Sequence, residues 1–228
     1  MRRTKAMGRL GGLAIGLGIG AALAGAAGVA SADPLPPFDP NDFAISIDGF
    51  TLFQTGSATA TSGMGDFAIA DGANSLAKAV GGFGDFASAD GAHAVAFAGD
   101  TTPGSNFDFA SVVGNNSDAS VRFGSFDFAS VVGNGSGGSA GLGELNTPAN
   151  FANFDSAFVL GDNSVSGANL GSNNLAFVFD PFGSLGSEAF AQGVDGGLPG
   201  NFDLAGVLGD GLLQNSIGDL VAHIAQFF

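Results

Sequence analysis

The residue with the clearest chemical potential is an aspartate that recurs at the start of a repeated segment. Asp66, Asp85, Asp108 and Asp127 each directly precede a Phe-Ala pair. Carboxylates are ligands that calcium prefers, and a cation between stacked carboxylates would offset their mutual repulsion. One interpretation is therefore a calcium-stabilised protein. The alternative is that the aspartates cap turns in water.

A second pattern could support nucleophilic catalysis. Gly137-Gly-Ser139-Ala-Gly141 fits a nucleophile elbow, which requires a strand before the serine and a helix after it. Here it falls in a Gly/Ser-rich segment that we predict to be a turn. His223 lies on a separate predicted helix, and His93 occupies a turn position that other repeats fill with asparagine. The chain has no cysteine, which excludes thiolate catalysis and cysteine zinc sites. We expect no enzyme activity and no cofactor other than the calcium considered above.

The charges are distributed unevenly. The 228 residues have a net charge of −15. The first 32 contain no acid and four of the six basic residues. Residues 33–228 therefore set Lys78 and Arg122 against 21 acids, a net charge of 2 − 21 = −19. Such a body lacks the basic surface that nucleic-acid binding needs and is repelled by anionic lipid.

The N-terminus is typical of an export signal. A basic start is followed by an uncharged run from Leu10 to Ala30, and Ala30-Ser31-Ala32 supplies a cleavage site. We predict a signal peptide over residues 1–32, no stable membrane insertion once it is removed, and a secreted or cell-envelope protein. A retained membrane anchor is the alternative. The Arg2-Arg3 pair leaves the choice between the general and the twin-arginine export routes open.

The rest of the chain is a repeat. Seven segments of the type Asp-Phe-Ala-Ser-Val-Val-Gly align on one alanine, and that alanine recurs with a basic period that is lengthened at every second junction. The aligned alanines are Ala68, Ala87, Ala110, Ala129, Ala157, Ala176 and Ala205. A second small-residue strand follows each first strand, and turns such as Gly72-Ala-Asn-Ser75 separate the two. Two short strands and two corners in each period predict one coil of a parallel β-solenoid.

The pattern within each strand supports stacked coils. Alternate residues, such as Ala68 and Ala70 or Ala110 and Val112, stay small and apolar, so they share one face. We predict an all-β fold: a parallel β-solenoid, or β-roll, of about seven 19-residue coils over residues 62–210, roughly 33 Å long. A Pro-rich linker and cap (33–61) would precede it. A short capping helix (211–228) would follow, because Ser216-Ile-Gly-Asp219 resembles a capping box.

Two groups of residues are candidates for binding. Phe67, Phe86, Phe109 and Phe128 occupy one position in successive coils, where they would either fill a corner of the core or form an exposed contact stripe. The insertions all enter just before a first strand and would line one edge. They are candidate binding loops or simply tolerated bulges. Their recurring residues are Pro103, Asn106, Pro148, Asn150, Pro199 and Asn201.

Residues 60–100 resemble a known family. Ala68-Ile-Ala-Asp-Gly-Ala-Asn-Ser-Leu-Ala77 and the segment from Ala87 to Gly99 look like the head repeats of trimeric autotransporter adhesins. That resemblance implies a β-roll with small core residues and association of chains. The style of the whole chain is similar to that of small exported actinobacterial proteins of the mycobacterial type. We expect an exported structural or adhesin-like module with an unidentified surface or protein partner, or with further copies of itself. The alternative is the calcium-stabilised secreted β-roll.

Overall fold

The structure is a computed structural model that describes residues 38–99, 105–141, 152–169, 171–180, 186–192, 200–209, 213–217 and 222–226. All of them belong to one compact unit, Ser31–Phe228. The predicted signal peptide lies outside the described residues. Pro103, Pro148, Asn150 and Pro199 lie outside them as well.

The described residues form strands and no helix. In chain order the strands are β1 (Phe43–Ile47), β2 (Phe50–Gln54), β3 (Thr59–Ser62), β4 (Phe67–Asp71), β5 (Leu76–Ala79), β6 (Phe86–Asp90), β7 (Val95–Ala98), β8 (Phe109–Val113), β9 (Asp118–Val121), β10 (Gly124–Ser125), β11 (Phe128–Val132), β12 (Gly137–Ala140), β13 (Ala152–Asn153), β14 (Ser156–Gly161), β15 (Val165–Asn169), β16 (Gly171–Ser172), β17 (Leu175–Asp180), β18 (Glu188–Gln192), β19 (Gly200–Asn201), β20 (Leu204–Leu208), β21 (Leu213–Ile217) and β22 (Ala222–Gln226).

Two long sheets carry the solenoid, and the chain alternates between them. The first sheet has the order β2-β1-β4-β6-β8-β11-β14-β17-β20-β22, and the second has the order β21-β18-β15-β12-β9-β7-β5-β3. From β4 to β22 every pairing in the first sheet is parallel. The predicted parallel β-solenoid is thus confirmed. Seven first strands, β4 to β20, span about six full turns of the repeat.

The register places each predicted alanine beside its counterpart. Ala68 pairs with Ala87, Ala87 with Ala110, and Ala110 with Ala129. The same row then runs through the remaining coils as Ala157, Ala176 and Ala205. In the second sheet, Ala77 pairs with Ala96 and Ala96 with Ala119.

The core between the two sheets is built from small side chains. Every residue of the buried apolar cluster is alanine or valine. A side chain of one to three carbons reaches only a short way from the sheet, so the two sheets can approach closely. Each coil buries this face against the opposite sheet and against its neighbours, which is why the fold needs stacked copies.

The corner after each first strand uses left-handed backbone. Asn74, His93, Asn116 and Asn163 occupy the same corner position in different coils, with φ between 52° and 57°. Asparagine tolerates this conformation because its short polar side chain can bond locally. His93 is exposed there, as the sequence predicted for a turn residue.

A third edge was not predicted from the sequence. Short parallel pairs join β10 to β13 and β16 to β19, and a single bridge joins Asn106 to Ser125. These pairs lie just before β8, β11, β14, β17 and β20, so the coils that contain these strands have a brief third side. The insertions that lengthen alternate coils fall largely in the ranges 100–104, 142–151 and 193–199, which lead into this edge.

The N-terminal cap is a hairpin. β1 pairs antiparallel with both β2 and β4, so it ends the parallel ladder of the first sheet. Within the predicted cap, β1 and β2 are therefore joined by a turn at Asp48 and Gly49. The second sheet begins earlier than the predicted boundary at residue 62, because β3 already pairs with β5.

The predicted C-terminal capping helix over 211–228 is wrong. β21 pairs in parallel with β18, and β22 pairs in parallel with β20. The capping-box pattern that suggested a helix is a local signal. The unpaired N–H and C=O groups on the edges of β18 and β20, in contrast, are satisfied only by further strands. The chain therefore continues both sheets, and the proposed helix-capping Ser216 is a strand residue.

No helix in the described part of the chain is long and apolar enough to cross a membrane.

Candidate functional site

The aspartates line up inside the solenoid. We call this set the aspartate column; its seven positions, each directly before a strand of the first sheet, are Asp66, Asp85, Asp108, Asp127, Asp155, Asn174 and Asp203. None is more than 2% exposed. At each step the backbone N–H of one residue donates to the side-chain Oδ1 of the residue before it, over 2.8–3.1 Å. The column therefore ties successive coils together.

The second carboxyl oxygen of several column residues has no hydrogen bond. Oδ2 of Asp66, Asp85, Asp127 and Asp155 is buried and unpartnered. At Asp108 the hydroxyl of Ser105 donates to Oδ2. A buried carboxylate oxygen without a donor is costly, because water no longer solvates its charge. The interpretation that these aspartates cap turns in water is therefore wrong.

Burial dominates the electrostatics of the column. It raises the pKa of Asp85 to about 7 and that of Asp108 to about 6. It also raises the pKa of Asp127 to about 9 and that of Asp155 to about 8, and neighbouring carboxyls add to both shifts. The cause is desolvation of the charged form, which favours the protonated acid.

The calcium interpretation finds no geometric support among the described residues. They contain no group of three or more histidine, aspartate or glutamate side chains placed to hold a metal ion. Asp66, Asp85, Asp108 and Asp127 stack one coil apart, each with one oxygen occupied by a backbone N–H. Calcium requires six to eight oxygen ligands converging on one point.

The predicted phenylalanine stripe is a stack on the outer face of the first sheet, which we call the face stack: Phe67, Phe86, Phe109 and Phe128. Their ring centroids are 5.4, 4.9 and 4.7 Å apart along the stack, and the interplanar angles fall from 15° to 3°. The rings are half-buried and do not enter the core. They therefore do not fill a corner of the core, which was one of the two interpretations.

A second aromatic stack was missed by the sequence analysis. Phe107, Phe126 and Phe154, which we call the corner stack, stand just before the aspartates, with centroids 5.2 and 5.1 Å apart. Phe83 packs edge-on against Phe107, with centroids 6.0 Å apart. These four rings and Phe202 are 50–59% exposed.

The corner stack has a strained backbone. Phe107, Phe126, Phe154 and Phe202 have φ between 58° and 63°. The left-handed region costs a bulky residue roughly 1–2 kcal/mol, and such strain is often stored at functional sites. Asn173 holds the same conformation at this position in another coil, which shows that the corner itself does not require an aromatic ring.

The predicted loop residues divide between described and undescribed parts. Asn106 lies on the third edge, where its Oδ1 accepts the N–H of Phe83 and its own N–H donates to Ser125 Oγ. Asn201 is in β19. In the fifth coil it is Asn153 that pairs with the Gly124–Ser125 segment and donates to Ser172 Oγ. In the chain, two of the insertions therefore end shortly before Phe107 and Phe154 of the corner stack, and the third ends shortly before Phe202.

The nucleophile-elbow pattern lies in a strand. Gly137–Ala140 is β12 and not the predicted turn, and it pairs in parallel on both sides. Ser139 Oγ accepts a hydrogen bond from Asn169 Nδ2 over 3.1 Å. The described residues place no histidine beside this serine, and the strand–turn–helix context that the motif needs is not formed there.

One signal could have revealed the corner stack and the column together. Asn-Phe-Asp or Ser-Phe-Asp recurs at 106–108, 125–127, 153–155 and 201–203, and the aspartate has the same parity as the buried alanine that follows it. Alternation then directs the aspartate inward. The two interpretations drawn from the sequence were a calcium ligand and a turn cap in water, and neither placed the aspartate in the core.

Comparison with known proteins gives no match: no protein-family model, no curated protein and no solved structure is significantly similar to this chain.

Proposed function

We propose that this protein is an exported, non-enzymatic module of the cell surface or envelope that binds a partner through the corner stack. The observation that carries the proposal is a row of exposed phenylalanines held in strained backbone. An apolar row that is kept exposed at an energetic cost indicates a contact surface. The solenoid acts as the rigid scaffold that holds the row straight.

Three further observations support this proposal. The first 32 residues have the pattern of an export signal, and residues 60–100 resemble the head repeats of adhesins. Each insertion rejoins the described chain within a few residues of an exposed phenylalanine, so the predicted binding loops are neighbours of these rings in the chain. The stacked rings cover one another's faces and present their edges, which favours apolar contacts over stacking of flat ligands on a ring.

The test uses the position of Asn173 as a template. Replacing Phe107, Phe126 and Phe154 together by asparagine removes the rings and keeps residues that tolerate the corner conformation. The labelled full chain should be retained on the surface of the cells that produce it, and the triple variant should be released at least about tenfold more readily, a loss of about 1.4 kcal/mol of binding.

A matched control distinguishes the corner from the sheet. Phe128→Ser removes one ring of the face stack and introduces the residue found at the equivalent position of the next coil, Ser156. It should leave retention on the cell surface unchanged. Equal retention of the triple variant, with an unchanged melting curve, would refute the role of the corner stack. Recovery of the chain only inside the cell would refute export.

A further inference from the structure

We propose that the aspartate column keeps buried carboxyls protonated at neutral pH, above all at Asp127 and Asp155, so that acid stabilises the solenoid and alkali loosens it. This inference concerns the core and is independent of the proposed binding surface. It identifies a pH-sensitive device built into the stacking of the coils.

The first argument is geometric. Oδ1 of each column residue from Asp66 to Asn174 is occupied by the N–H of the next rung. At four rungs Oδ2 has no partner and is inaccessible to water. An ionised carboxyl would place a share of its charge on that oxygen, whereas the protonated acid carries no net charge.

The second argument is the packing around Oδ2. Gly99 and Gly141 stand against the Oδ2 atoms of Asp85 and Asp127, and both have left-handed backbone, with φ of 77° and 66°. A Cβ at either position would collide with the carboxyl oxygen. The glycine therefore packs closely against the oxygen, which is inaccessible to solvent.

The third argument is the charge around the column. Asp66 faces Asp48, and the other charges that act on the column are its own carboxyls. Arg122 directly follows β9 of the second sheet. Its guanidinium lies over the ring of Phe97, 5.2 Å from the ring centroid. Lys78 lies on the outer side of β5, and His93 lies at an exposed corner. Like charges at successive rungs disfavour ionisation.

The fourth argument is a natural substitution. At Asn174 the column uses a neutral amide, and the inter-coil bonds on both sides are kept at 2.8 and 3.1 Å. The Nδ2 group donates to the carbonyl of Asn169 over 3.3 Å. A neutral side chain of the same shape therefore fits the column, as a protonated aspartic acid would.

The direction of the pH effect follows from linkage. These carboxyls have pKa values above their ordinary 3.8, up to about 9 for Asp127, so the folded state binds more protons than the unfolded state. Their stabilising effect is complete below about pH 4 and is lost as the pH rises through the folded pKa values. For each extra proton that the folded state binds, the folding equilibrium constant falls about tenfold when the pH rises by one unit.

The experiment compares urea unfolding of the full chain with two variants between pH 5 and pH 10. Asp127→Asn and Glu188→Gln each remove one carboxyl, but Glu188 is not in the column and lies on the outer side of β18. The wild-type folding constant should fall steeply with rising pH. The folding constant of Asp127→Asn should fall about tenfold less per pH unit between pH 5 and about pH 9, where Asp127 is protonated in the folded state and ionised in the unfolded state. The folding constant of Glu188→Gln should follow that of the wild type.

A flat or rising wild-type profile would overturn the proposal, and so would equal profiles for the two variants. If Asp127→Asn does not fold, Asp155→Asn tests the neighbouring rung with the same expectation. Infrared spectroscopy of the wild type needs no variant: at pH 7 it should show the carbonyl band of protonated carboxylic acids, shielded from exchange. Absence of that band would also overturn the proposal.

Discussion

Two columns of polar side chains run along the solenoid, one before the strands of each sheet. The aspartate column precedes the first sheet, and a serine column, with Ser117, Ser136, Ser164 and Ser187, precedes the second. In both columns the side-chain oxygen accepts the N–H of the same position in the next coil, over 3.1 Å in the serine column. The two columns therefore make the same inter-coil hydrogen bond.

The columns differ in what the rest of the side chain does. Ser136 Oγ also donates its proton to the carbonyl of Gly161 over 2.7 Å. A hydroxyl is donor and acceptor at once and remains neutral, so this serine is satisfied at every pH. An ionised carboxyl is an acceptor only, so Asp127 Oδ2 has nothing to bond. The same inter-coil hydrogen bond is therefore independent of pH when serine accepts it and dependent on pH when aspartate accepts it.

The largest loss of stability is expected when a carboxyl is placed in the serine column. Ser136→Asp removes the donor to Gly161 O and directs a carboxylate at that carbonyl. We expect a loss of more than about 3 kcal/mol in the free energy of unfolding at pH 7, measured by urea unfolding. Ser130→Asp, on the outer face of the first sheet, is the matched control and should cost far less. Equal losses would show that the column is not special.

A smaller effect is expected from completing the aspartate column. Asn174→Asp replaces the amide that donates to Asn169 O and adds a carboxyl between Asp155 and Asp203. The free energy of unfolding should fall by about 1–3 kcal/mol at pH 8, and most of it should return at pH 4, where the acid is protonated. Asn173→Asp at the exposed neighbouring position serves as the control. A loss of the same size at both pH values would contradict a charge effect.

The smallest expected effect comes from filling the gap in the serine column. Ala94 occupies the equivalent position between Ser75 and Ser117, and it offers no side-chain oxygen to the next coil. Ser75 Oγ is buried without a hydrogen bond, and the Ala94 N–H donates to Gly91 O over 3.2 Å. Ala94→Ser should raise the free energy of unfolding by up to about 1 kcal/mol, measured by thermal unfolding. Ala96→Ser places the same hydroxyl against the apolar core and should destabilise the protein. A destabilised Ala94→Ser would show that the column geometry is not continuous there.

Much of the fold could be predicted because its signals are local and repeated. The regular spacing of the repeat predicted which alanines would become neighbours, and the alternation of Ala68 and Ala70 predicted which face would be buried. The C-terminal strands could not be predicted in this way. A segment of ordinary composition becomes β22 because β20 presents an unpaired edge, which is a property of the assembled sheet.

The candidate site was predicted only in part. The face stack follows from equivalent positions in the repeat, so Phe67 to Phe128 were found. The corner stack was missed because Phe107 and Phe126 lie between strands, and the recurring Asn-Phe-Asp or Ser-Phe-Asp pattern that marks them was not used. Its exposure depends on the positive φ at each corner, and this in turn depends on how the third edge closes.

The sequence alone determined the period, the strand pairing and the small size of the core residues, because these depend on spacing and side-chain volume. Only the tertiary structure decided that the carboxyl before each first strand lies inside and the phenylalanine beside it lies outside. The physical reason is that burial of a carboxyl depends on what closes over it. Here the atoms that cover the Asp85 and Asp127 carboxyls include the backbone of Gly99 and Gly141, which the chain reaches only after it has passed through the second sheet.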